Sequence, residues 1–252
     1  MRRVSLLLAP LVLAGGLLAA RPATAEDLPH VDWSFDGIFG TYDRASAQRG
    51  FQVYQEVCSS CHSMKQMYYR NLSGIGLDPK EIQAIAASVT VPGSLNDSGE
   101  PTTRPGLPSD HFKSPFPNDL AARAANNGAL PPDQSVLEKA REGGADYLYG
   151  ILTGYKDPPA GMKVGNGMYY NETMPGHQIA MPPPLTADRV TYADGTKATL
   201  DQEAKDVVTF LTFAANPEME ERKQLGVKMV LFFALLTCLV YALKRKIWAN
   251  VH

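Results

Sequence analysis

The sequence predicts a mainly α-helical domain with long loop insertions, plus one C-terminal transmembrane helix. Three observations predict it. Apolar residues recur at helical spacing in several segments. Nineteen prolines and 21 glycines demand long irregular stretches between those segments. An apolar run near the C-terminus ends in a basic stop. The helix candidates are 44–57, 79–89, 117–126, 133–142, 145–154 and 200–215. In the first, Phe51, Tyr54 and Val57 form an aromatic and aliphatic stripe that reads as core packing. In the last, Thr199 and Gln202 stand at N-cap and N3, the spacing of a capping box, ahead of an apolar face that includes Val207, Val208 and Leu211. Residues 90–117 and 155–185 read as long loops, and loops of that length are usually functional. Asp194-Gly195 is a hairpin turn signal. Residues 217–224 read as a short polar linker, and there are no internal repeats.

The two ends set the topology. Arg2 and Arg3, an apolar stretch from Ser5 to Ala20 and the small-x-small site Ala23-Thr24-Ala25 make the three-part pattern of a secretory signal peptide over residues 1–25. At the other end, residues 225–243 are apolar except for Lys228, and at about 1.5 Å per residue they span a hydrocarbon core of about 30 Å. Lys228 lies one turn inside, within snorkelling reach of the interface. Lys244, Arg245 and Lys246 follow at once, which places the tail 244–252 in the cytoplasm and the domain 26–216 on the exported side, the periplasm.

The whole chain carries 24 basic and 26 acidic residues. Setting aside the six Lys and Arg of the two ends leaves 18 basic against 26 acidic residues, a net of −8 on the exported part. Such a balance excludes a general nucleic-acid binder and suits a basic protein partner. Three cysteines exclude a disulfide-dense scaffold.

Two of those cysteines carry the chemistry. Cys58-Ser59-Ser60-Cys61-His62 is a C-x-x-C-H sequence, the attachment signature of c-type haem. Two thiols three positions apart reach the two vinyl groups of one porphyrin, and the adjacent His62 falls under the iron as proximal ligand. A thioredoxin-like dithiol would need a βαβ context, and a zinc site would need a second Cys/His pair. Neither is present. Cys238 lies in the apolar run, so no pair remains for a disulfide.

A sixth ligand is expected from Met162, Met168, Met174 or Met181, with His111 and His177 as alternatives. Met64 and Met67 are too near His62, and Met219 and Met229 sit at the membrane end. Met181 is favoured because Pro182, Pro183 and Pro184 stiffen the backbone just after it, and a stiff loop holds a weak thioether at low reorganisation cost.

Beyond these features, the run from Arg123 to Asp133 (RAANNGALPPD), Leu152-Thr153-Gly154-Tyr155, the segment Ile179 to Pro184 and the tail from Ala204 through Arg245 resemble the cytochrome c1 family, over essentially the mature chain. The resemblance implies a class I cytochrome c-like haem domain of bacterial type with one covalently attached haem c. It implies His62 and Met181 as the axial pair and Arg123 near a haem propionate. Asn126, Asn127 and Gly128 would shape the turn beside the haem, with Pro131 and Pro132 as a wall. Some family members carry extra cysteines that close the ligand loop. This chain has Lys156 after Gly154-Tyr155 and no such pair, so packing and proline are expected to hold that loop.

The resemblance further implies a subunit of a dimeric cytochrome bc1 complex in the inner membrane, beside cytochrome b and a Rieske iron–sulfur protein. It would pass single electrons to a c-type cytochrome and make no substrate bonds of its own. Asp97, Glu100, Glu138, Glu142 and Asp157 are candidates for steering that acceptor. A free-standing tethered carrier is the alternative. A peroxidase or nitrite-type reductase would need an open iron site and commonly a second haem, and there is one C-x-x-C-H.

Overall fold

The computed structural model describes residues 28–250. The segment 1–25, expected as a signal peptide, lies outside the described residues. The order of elements is α1 (Arg44–Glu56), α2 (Pro79–Ala87), β1 (Thr90–Leu95), β2 (Pro101–Pro105), α3 (Asp119–Ala125), α4 (Gly144–Thr153), β3 (Tyr169–Tyr170), β4 (Gln178–Ile179), α5 (Leu200–Ala215) and α6 (Met219–Trp248). The mainly α expectation holds.

Local chemistry starts the helices. Asp43 caps α1 by accepting from the amides of Ala45 and Ser46. Asp78 and Glu81 cap α2 reciprocally, with Pro79 at its first position. Thr199 caps α5 through the Gln202 amide, 3.1 Å away. The expected capping box is half made, because the Gln202 side chain donates to Asp206 at 3.0 Å instead of reaching back.

α1 and α5 cross at the centre of the core. Their backbones approach so closely at Gly50 that a Cβ there would run into the Asp206 carbonyl and touch the Phe210 Cβ. A charged strut crosses the same seam. The buried Asp206 carboxylate accepts from Arg49 at 2.8 and 3.0 Å and from the Ser46 hydroxyl at 2.7 Å. The stripe read from the sequence is core packing. Phe51 and Tyr54 pack on Phe210 at ring distances of 5.4 and 5.6 Å, and both lie against Phe112, which stacks on Tyr69 at 4.7 Å. This aromatic column joins α1 to the segment that follows Cys61-His62.

Several further expectations change. Residues 133–142 form turns rather than a helix. The Asp133 carboxylate is engaged by Ser63 and Lys65 as well as by its own Ser135 amide, and the Gln134 amide is drawn to the Ser63 carbonyl. Gly143 and Gly144, both at positive φ, then close the segment. The loop 90–117 contains an antiparallel hairpin, β1–β2, turning at Asn96–Gly99, where the Asn96 side chain accepts from the amides of Ser98 and Glu100. Its prolines had masked the strand pattern. Conversely, Asp194-Gly195 makes a turn (Gly195 N–H to Tyr192 carbonyl, 3.2 Å) without a ladder.

The polar stretch 217–224 is helical from Met219 and forms the foot of α6. Arg44 pairs with Glu220 through two bonds of 2.9 and 2.7 Å, and Glu220 also accepts from the Tyr42 amide. Lys223 donates to the carbonyls of Phe35 (2.6 Å) and Gly40 (3.2 Å), and Met219 is buried. Beyond this foot, α6 is long and apolar enough to cross a membrane, and none of its apolar window is buried.

Gly50→Ala is expected to destabilise the protein by about 3 kcal/mol or more. The helix-propensity gain of about 1 kcal/mol is overwhelmed by separating the α1 and α5 backbones. Chemical unfolding of wild type and variant, followed by circular dichroism, checks this.

Candidate functional site

α1 ends at Glu56, and the chain tightens into a 3₁₀ turn over Cys58–Ser60. The amides of Cys61 and His62 both donate to the Cys58 carbonyl, at 3.1 and 2.9 Å. Both thiols and the imidazole therefore issue from one turn, and both cysteines are free. Burial, and then the neighbouring Cys61, push the Cys58 thiol up to about 12, so it stays neutral at physiological pH.

His62 is buried, and its Nδ1 lies 2.8 Å from the Pro132 carbonyl. A carbonyl can only accept, so Nδ1 carries the ring proton and Nε2 keeps a free lone pair. Burial lowers the His62 pKa and outweighs the opposing pull of Pro132 and Asp133, which keeps the ring neutral, the form that binds metal.

Asp133 ties the same two segments together. Its carboxylate accepts from the Ser63 hydroxyl (2.7 Å), the Lys65 amide (2.9 Å) and the Ser135 amide (2.9 Å). Burial raises its pKa, but these hydrogen bonds outweigh burial and hold it below the usual carboxylate range.

Met181 lies on a separate segment. Its carbonyl accepts from the Tyr155 hydroxyl at 3.0 Å, and β3 pairs with β4 just before it, Tyr169 opposite Ile179. At the base of this loop sits Asn171, fully buried and unmarked by sequence reasoning. Its side chain donates to the Ile151 carbonyl (2.8 Å) and accepts from the amides of Thr173 and Met174 (3.0 and 3.1 Å). Glu172 pairs with Lys156 at 2.7 Å. Packing and proline are thus joined by a two-strand ladder, a buried amide and an ion pair. A lone Asn in a polar stretch carries no signal that it is buried, so only the fold identifies it.

Three of the other axial candidates, Met174, His111 and His177, have their own engagements. The Met174 sulfur accepts from the Tyr147 hydroxyl at 3.7 Å. The His111 ring packs tilted against Tyr68 at 3.9 Å, and His177 Nδ1 lies 3.1 Å from the Glu172 carbonyl. Met64 and Met67 are core residues.

Arg123 is exposed, and one of its N–H groups donates to the Gly128 carbonyl of its own turn at 3.1 Å. That turn is shaped by Asn127 and Gly128 at positive φ and by the Asn126 side chain donating to Ala122 at 2.8 Å. Among the acids, Asp97, Glu100, Glu142 and Asp157 are exposed, whereas Glu138 is half-buried and burial raises its pKa.

The Cytochrome C1 family profile matches residues 33–251. Cytochrome c1 of Rhodospirillum rubrum is 48% identical, the alignment covering 98% of this chain and 97% of that protein. The chain belongs to the cytochrome c1 family. Further relatives are the mitochondrial cytochrome c1-2 heme protein of Solanum tuberosum (50% identical; 85% of this chain, 84% of the relative) and the mitochondrial cytochrome b-c1 complex catalytic subunit of Candida albicans (45%; 88% and 78%). Family membership implies a haem c cofactor and fits a class I cytochrome fold. The residues present fit such a group. Two free thiols and a neutral imidazole with an available Nε2 share one turn. One helical turn before Cys58, the buried Tyr54 hydroxyl has no hydrogen-bond partner among the described residues, nor has the Gln134 side-chain oxygen beyond Pro132.

Asp133→Asn is expected to cost about 1.5 kcal/mol, because three donors lose a charged acceptor that is partly open to water. The folded-state pKa of Asp133 is depressed. Its contribution is therefore present above the ordinary carboxylate range and lost as pH falls through the folded value. The variant should show a weaker pH dependence of stability than wild type below about pH 4, read from denaturant unfolding at a series of pH values.

Proposed function

We propose that this chain is the c-type haem subunit of a quinol–cytochrome c oxidoreductase. It would relay single electrons from a Rieske iron–sulfur protein to a c-type cytochrome, in a dimeric complex that also contains cytochrome b. The observation that carries the reading is the Cys58–His62 turn with its ring proton held by Pro132, in a chain that matches the family over almost its whole length. The printed name of the Candida albicans relative, a cytochrome b-c1 complex subunit, supports membership of such a complex.

When bound, haem supplies a one-electron iron couple. The chain does the rest. The Cys58 and Cys61 thiols provide covalent attachment for one haem. His62 Nε2 and the Met181 sulfur would hold the iron, leaving no position for small ligands and limiting change between oxidation states. Pro132 and Tyr155 orient these ligands through the Nδ1 proton and the Met181 carbonyl. Arg123, with one of its five N–H donors on Gly128, has others to offer a propionate.

In this reading residues 1–25 are a cleaved signal peptide and residues 26–216 form the periplasmic domain. α6 is the single inner-membrane span, and 244–252 is the cytoplasmic tail. The basic stop Lys244-Arg245-Lys246 supports that orientation. The clamped foot of α6 supports a docked subunit over a carrier swinging on a flexible linker. The exposed acids Asp97, Glu100, Glu142 and Asp157 suit a basic acceptor, whose approach they would speed in a salt-dependent way.

Mild extraction of the tagged full-length protein, followed by reduced-minus-oxidised spectra, tests the complex. A quinol-reducible b-type band beside the c-type band is expected, and a c-type band alone would favour a free-standing tethered carrier. Met181→Leu tests the ligand. It should lower the midpoint potential by on the order of 0.1 V, within the range of about 0.8 V that axial ligation controls, and should admit carbon monoxide to the reduced protein. Redox titration and the carbon monoxide difference spectrum read both effects, and an unchanged potential would refute the assignment.

A further inference from the structure

We propose that the tip of the loop 36–40, Ile38 and Phe39, enters the headgroup layer of the bilayer that α6 crosses, giving the domain a second contact with the lipid surface beside its anchor. The proposal rests on the reading of α6 as a membrane span.

Ile38 and Phe39 are 68% and 83% exposed, although both are large and apolar. Their exposure is built into the loop. Phe35 and Tyr42, which flank the loop, are buried: Phe35 stacks on Trp33 at 5.4 Å and Tyr42 meets Phe213 edge-on at 5.6 Å. The Asp36 amide donates to the Trp33 carbonyl and the Thr41 amide to the Ser34 carbonyl, both at 3.0 Å, closing the neck. Glycines flank the apolar pair. Gly37 sits at φ +70°, and a Cβ on Gly40 would collide with the Asp36 carbonyl. The turn is therefore tight, and its tip is held out from the core.

The position of the loop identifies what the tip meets. Lys223 donates to the carbonyls of both Phe35 and Gly40, the residues that bracket the turn. Lys223 precedes Leu225, where the apolar run of α6 begins, by two residues, an axial rise of about 3 Å. The tip is thereby fixed at the end of α6 where its lipid-facing surface starts. Single exposed apolar residues are ordinary, but an apolar pair adjoining a membrane span continues the surface that the span offers to lipid. The chemistry favours apolar insertion over capture of an anionic headgroup. The loop holds no Lys or Arg, Asp36 stands in its neck, and the Lys223 ammonium is engaged by carbonyls.

The test uses the full-length haem-loaded chain in phosphatidylcholine nanodiscs. Nitroxide labels are placed at Ile38→Cys or Phe39→Cys in a Cys238→Ser background. Relaxation by dissolved oxygen is compared with relaxation by a water-soluble nickel chelate. References are Ser98→Cys in the β1–β2 turn, in the same background, and native Cys238 within α6. A far-UV circular dichroism spectrum and thermal unfolding midpoint matching those of the unlabelled protein confirm that each labelled protein is folded. The expected oxygen-to-nickel ratio at 38 and 39 is several-fold above that at 98 and below that at 238. Labels at 38 and 39 as open to nickel as the label at 98, with Cys238 still in lipid, would overturn the proposal and leave the tip for a partner subunit. Nickel access at Cys238 itself would overturn the membrane reading of α6, and this proposal with it.

Discussion

A neutral imidazole has two nitrogens and one proton, and in this protein the proton of His62 is claimed by the carbonyl of Pro132, 70 residues away in the chain. Much of the site depends on that single bond. It selects the tautomer, frees Nε2 and draws the Pro131–Ser135 segment against the turn that bears both thiols. The Asp133 carboxylate reinforces the junction from the Ser63 and Lys65 side. The same bonds cost the chain a helix, since residues 133–142 are pinned by contacts outside their own turn. Under the proposed ligation this arrangement supplies a basic, well-oriented nitrogen without further movement, as a low reorganisation cost requires.

The rigidity extends in two directions. Toward the core, the Phe51, Tyr54, Phe112 and Tyr69 rings carry the packing from α1 to the residues after His62, and α1 is fixed on α5 by the close approach at Gly50 and by the Arg49–Asp206 strut. Toward α6, α5 ends at Ala215 and α6 starts at Met219, so little chain lies between the core and the long apolar helix. Arg44–Glu220 and the Lys223 contacts then brace the foot of α6 against residues 35–44. A domain braced in this way keeps a set orientation to α6.

The loop that carries Met181 follows different physics. Under the proposed ligation the Met181 thioether is a weak ligand, so its position has to come from the backbone. The prolines after Met181 stiffen one side. The other side is held by Asn171, which gives its side-chain amide and carbonyl to three main-chain partners in a buried setting where an unmade hydrogen bond would be costly.

The sequence by itself determined what depends on neighbours along the chain. The C-x-x-C-H spacing, the cap Thr199, the apolar stripe of α1 and the length of the apolar run in α6 are all local patterns, and each has its counterpart in the fold. The β1–β2 hairpin was not legible: residues 90–117 read as a loop, because prolines in both strands hid the pattern. Tertiary structure alone decided the contacts between distant segments: the Pro132 carbonyl on His62, Asn171 beneath the Met181 loop, Lys223 on the neck of the 36–40 loop, and the loss of a helix at 133–142. These depend on which carbonyl or carboxylate is brought within hydrogen-bond reach once the core has packed, and no periodicity along the chain records that.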